Sequence, residues 1–134
     1  MNIQTFDDLL NAARSQSTPQ RLLFVFSAVE LPDDATDIQR LEFERGEGGA
    51  LVPLMCVDKG AEELASFRQL AQEAETFGQP WGMVFAAALA GTPGRPPGSA
   101  DAEQPLQDMV EAIRNGRLDA FIPFDRQGMA VALG

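Results

Sequence analysis

The 134-residue chain has no histidine and no tyrosine, and only one cysteine (Cys56), one lysine (Lys59) and one tryptophan (Trp81). Without imidazole there is no His general base and no His metal ligand, and without tyrosine there is no phenol acid. A single cysteine excludes an internal disulfide and every cysteine-rich zinc site. Positive charge is also scarce: ten Lys plus Arg stand against twenty Asp plus Glu, a net −10 at pH 7. Such a chain lacks the phosphate neutralisation that sustains nucleic-acid binding, and an anionic membrane surface repels it. Long apolar runs are missing too. The longest, Met83 to Ala90, is far too short to span a bilayer. The opening MNIQTFDDLL is acidic and has no basic n-region. The expectation is a soluble cytoplasmic protein with no cofactor, no nucleic-acid partner and no membrane partner.

What is present suits one α+β domain over residues 1–134: 45% of the residues are hydrophobic, enough to bury a core. Thr5 followed by Asp8 is a capping-box pattern, and Phe6, Leu9, Leu10 and Ala13 share a helical face, which predicts a helix over 6–15. Leu22 to Val29 (LLFVFSAV) is an almost unbroken apolar run bounded by Pro19 and Pro32, the pattern of a central strand buried on both faces. Ala50 to Val57 is a further strand, in which Pro53 marks an edge or a bulge. The clearest helical stripe runs over 61–77 and stops at Gly78. Trp81 to Leu89 is a second central strand. Gly91 to Glu103, with three Gly, three Pro and no large apolar residue, reads as a long mobile loop. Pro105 then suits the first position of a helix over 105–115. Residues 120–124 and 129–133 flank Asp125 to Gly128 as a hairpin.

Residues 30–47 concentrate the negative charge. Glu30, Asp33, Asp34, Asp37, Glu42, Glu44 and Glu47 face only Arg40 and Arg45. Thr36 with Gln39 allows a short helix ending at Gly46. The alternation of Leu41 and Phe43 with Arg40, Glu42 and Glu44 favours a strand instead, turning through Gly46 to Gly49 into the next. The carboxylates lack the spacing and the turn glycine of a calcium loop, so no metal is expected.

No other motif carries a reaction. Cys56 precedes Asp58 and Lys59, yet no base stands by to activate the thiol, so it reads as a small buried residue of a strand and Asp58 as a helix cap. Lys59 reads as a solvated side chain. Met55, Met83, Met109 and Met129 fall on apolar faces and read as core. Neither Gly-rich segment ends in the Lys-Ser/Thr of a phosphate loop. Two function classes remain. The first is a non-enzymatic interaction module whose acidic surface, including Asp33, Asp34 and Asp37, meets a basic protein. The second is a small binder or enzyme for an anionic ligand, held by Lys59 and Arg95 between the 56–59 turn and the 91–103 loop.

The block Asp37 to Phe67 resembles the N-terminal domain of the SseB (enhanced serine sensitivity) family. The shared pattern is a polar strand, an acidic Gly turn, an apolar strand carrying Pro, then a helix. Leu106 to Asp125 is similar as well. The chain also looks like short acidic proteobacterial proteins sometimes labelled ribonucleotide reductase alpha subunit. Its single cysteine and 134 residues cannot supply the thiols and barrel that label requires. The resemblance implies an SseB-like α+β fold and brings no catalytic residue with it. The expected architecture is a mixed sheet of five or six strands with three packed helices.

Overall fold

The structure is a computed structural model that describes residues 3–31, 34–45 and 50–131. Its elements are α1 (Phe6–Arg14), β1 (Gln20–Glu30), α2 (Asp37–Glu44), β2 (Ala50–Gly60), α3 (Phe67–Glu75), β3 (Met83–Ala90), α4 (Ser99–Arg114) and β4 (Ile122–Phe124). The strands form one sheet in the order β2-β1-β3-β4, every neighbouring pair antiparallel.

The apolar run of β1 dictates this arrangement. Successive side chains of a strand point to opposite faces. Leu22, Phe24 and Phe26 therefore enter one core, with α1, Leu70 and Ala74 of α3, and Trp81. Leu23 and Val25 enter a second core, with Phe85 and the α4 stripe Ala102, Leu106, Met109 and Ile113. Helices α1 and α3 thus cover one face of the sheet and α4 the other. As expected, the two apolar runs occupy the inner positions of the sheet.

Several boundaries differ from the sequence expectations. Four described strands replace the five or six expected, and no described pair is parallel. Residues 37–45 supply no strand, because Thr36 and Gln39 exchange side-chain to backbone hydrogen bonds of 3.2 and 2.9 Å and open α2. The Gly46 to Gly49 turn lies outside the described residues. The expected hairpin across Asp125 to Gly128 does form, with Phe124 opposite Ala130 and the Val131 N–H donating to the Pro123 carbonyl at 2.9 Å, but its second arm makes isolated bridges rather than a full strand and also bridges Thr5 through Met129. Met129 is solvent-exposed rather than core, and Phe77, the last residue of the expected 61–77 helix, is exposed as well. Residues 61–63 are a turn, and α3 starts only where Ser66 caps the Gln69 N–H.

Four described helices replace the three expected, α2 being the addition, and α4 starts six residues before Pro105. The Gly98 N–H donates to Asp101 Oδ2 at 2.8 Å, and Ala102 is buried against the sheet. An interior proline forfeits a backbone hydrogen bond at a cost of about 3 kcal/mol, and the apolar stripe on both sides of Pro105 offsets it. The expected 13-residue loop shrinks to 91–98. It closes on a Thr92–Arg95 turn with Gly94 at φ +76°, and Pro97 is buried.

Pro53 marks both an edge and a bulge. Register shifts between Phe26 and Ser27, leaving Leu54 as an extra residue in β2. The Ala61 N–H donates to the Gln20 carbonyl at 3.0 Å. Antiparallel pairs alternate between bonded and unbonded, so the even-numbered residues of β1 bond β2. Pro53, opposite Ser27, therefore directs its donorless nitrogen away from β1, and the ladder loses nothing.

Candidate interaction site

Past Ser27, where β1 leaves β3, the β1–β2 ribbon continues alone to the pair Glu30 and Ala50. Helix α2 follows in the segment that joins these two ends. It buries none of its residues. Ile38 and Leu41, spaced i and i+3 on one face, are 69% and 52% exposed. In the same stretch of chain Glu30, Asp34, Asp37, Glu42 and Glu44 are all exposed, as are Arg40 and Arg45. An eight-residue helix has little stability of its own in water. The Thr36–Gln39 capping box and the anchored strand ends hold it rather than a core.

The other sequence-marked residues are dispersed. Asp33 lies outside the described residues. Asp58 and Lys59 are consecutive on β2 and so point to opposite faces. Asp58 faces α4, where its Oδ2 accepts from Arg21 Nε at 2.6 Å and from Ser99 Oγ at 2.7 Å. It is not a helix cap. Burial pushes the Asp58 carboxyl up, but the Ser99 hydroxyl and the Arg21 guanidinium outweigh it and hold it below the ordinary 3.8. Lys59 faces α3 and pairs with Glu73 at 2.8 Å, so it is not free in solvent. Arg95 is exposed and closes the Thr92 turn. Lys59 and Arg95 line different clefts among the described residues, so the pair suggested for an anion is not brought together.

Cys56 is exposed, contrary to the buried thiol expected from its apolar strand. It lies on the α4 side of edge strand β2, where no further strand covers it among the described residues, and lines a groove of about 490 Å³ beside α4. Sequence reasoning missed this groove, the Arg21–Asp58–Ser99 cluster and the Ile38–Leu41 pair. The i, i+3 spacing of the pair was visible under the helical alternative for 37–45. The other two depend on which strands pair and where α4 starts.

Among the described residues no group of His, Cys, Asp and Glu is arranged to hold a metal ion, and no helix is long and apolar enough to cross a membrane. Comparison with family models, curated proteins and solved structures gave no match.

The Asp58 cluster makes a pH prediction. A carboxyl whose pKa is lowered on folding adds stability that is complete above its unfolded value and is lost as pH falls through its folded value. Asp8 acts in the same sense, lowered by backbone hydrogen bonds from Gln4 and Thr5. Urea midpoints measured from pH 6 down to about pH 2.5 should fall on the acid side. Asp58→Asn should flatten part of that fall. An unchanged acid limb in the variant would show that the cluster adds nothing to folding.

Proposed function

We propose that the protein is a non-enzymatic protein-interaction module that holds a partner of basic surface through α2 and the acidic segment around it. One observation carries the proposal: two large apolar side chains, Ile38 and Leu41, stand in solvent on a helix with no buried residue, within a segment of exposed carboxylates. A core-facing helix buries its apolar face against its own sheet. Here the face is left open, and the segment that carries it is predominantly acidic, with Arg40 and Arg45 as its two cations. Carboxylates steer a basic partner at range and the apolar pair supplies short-range affinity. The SseB-like resemblance agrees with this role in that it brings no reaction.

The test is capture from cell lysate on the immobilised chain, with the retained proteins identified. The chain should retain a specific basic protein at low salt and less of it near 1 M salt, where screening shortens to about 3 Å. Ile38→Asp/Leu41→Asp and Asp34→Lys/Asp37→Lys should each lose that protein. Capture that survives both double substitutions would refute the role of α2.

A further inference from the structure

The groove beside Cys56 has an apolar floor and an acidic rim. Leu106 and Val110 of α4, with Cys56 of β2, form the floor. Glu103, Asp108 and Glu111 line it too, against a single cation, Arg114, which already approaches Glu111 at 3.4 Å. Glu103, Gln107, Val110 and Arg114 follow the i, i+4, i+7, i+11 spacing of one helical face. At 1.5 Å per residue that face is about 16 Å long, or three turns.

We infer that this groove is a docking site for a basic amphipathic helix of a partner protein, the inference resting on the interaction role proposed above. Charge complementarity selects the occupant. Lys or Arg side chains meet Glu103, Asp108 and Glu111, while apolar side chains at i and i+3 or i+4 reach Leu106, Val110 and Cys56. An added strand on β2 is disfavoured, because its outward edge is blunted. Pro53 has no N–H to offer, the Leu54 bulge breaks the register, and the Gly60 N–H already donates to Glu63 Oε1 at 3.2 Å. A second copy of this chain is disfavoured by the −10 charge each copy carries.

Cys56, the only cysteine, makes the groove measurable. The probe is an 18-residue amphipathic peptide of leucine and lysine, and the readout is the rate at which N-ethylmaleimide alkylates the native thiol. At about ten times its dissociation constant the peptide should slow alkylation about tenfold, as the free fraction falls. Salt should relieve the protection. The exposed-site variant Glu103→Lys/Asp108→Lys, which leaves the floor intact, should abolish it, and Val110→Ser should weaken it. Ile38→Asp/Leu41→Asp should leave it unchanged, so the groove and α2 fail or succeed separately. Three results would each overturn the inference. They are no slowing by the peptide, equal slowing in the Glu103→Lys/Asp108→Lys variant, and slowing that follows protein concentration without peptide, which would assign the groove to a second copy.

Discussion

Phe6→Ala should cost about 3–5 kcal/mol of folding stability, as expected for a fully buried aromatic. Phe6 is 1% exposed in the first turn of α1 and meets three other rings. Phe24 of β1 lies at 5.6 Å, Phe67 of α3 at 5.1 Å and Phe124 of β4 at 5.4 Å between centroids. One side chain therefore joins α1, α3 and two strands. Its truncation removes apolar burial and leaves a cavity that the sheet cannot close. The total stability of a small domain is about 5–15 kcal/mol, so the variant sits near the edge of unfolding. Phe6→Leu should lose less, since it keeps most of the volume. Urea unfolding of the three proteins makes the comparison. A loss below about 1 kcal/mol for alanine would mean that α1 is not seated on the sheet.

Gly128→Ala should cost about 2–5 kcal/mol, from two separate contributions. Gly128 has φ +79°, the left-handed region that an L side chain enters at about 1–2 kcal/mol. Its added Cβ would also lie 2.9 Å from Cγ of Phe67 and 3.3 Å from its Cβ. These atoms are the root of the ring, which cannot swing away. The backbone cannot retreat easily either, because the Gly128 carbonyl accepts the Phe6 N–H at 2.8 Å. Gly94→Ala is the control. Gly94 has φ +76° but open space around its missing Cβ, so it should show the conformational cost alone. Equal losses at the two glycines would remove the steric part.

The sequence made legible whatever depended on one element at a time. The capping box of Thr5 and Asp8 placed α1 within a residue, and the apolar run of β1 announced a central strand buried on both faces. The Ser99–Glu103 turn of helix was hidden because Pro105 is a favoured first residue. Its true start is set from outside, by Ser99 bonding Asp58 and by Ala102 packing on the sheet. For residues 37–45 two periodicities coexisted, and the local bonds of Thr36 and Gln39 decided between them. Asp34 and Asp37 could be read as surface residues from charge density alone. The company kept by Asp58, Lys59 and Cys56 could not, since it depends on which face of β2 each residue takes.

The proposed role requires that the Ile38–Leu41 pair of α2 meets a partner and stands outside the protein's own core. Urea unfolding of Ile38→Asp/Leu41→Asp in the isolated protein tests it most directly. If the pair is held in solvent, the double variant should unfold within about 0.5 kcal/mol of the parent, the usual range for surface substitutions. A loss of about 2 kcal/mol or more, the mark of charge forced into a core, would show that α2 packs on its own chain in solution and would contradict the account.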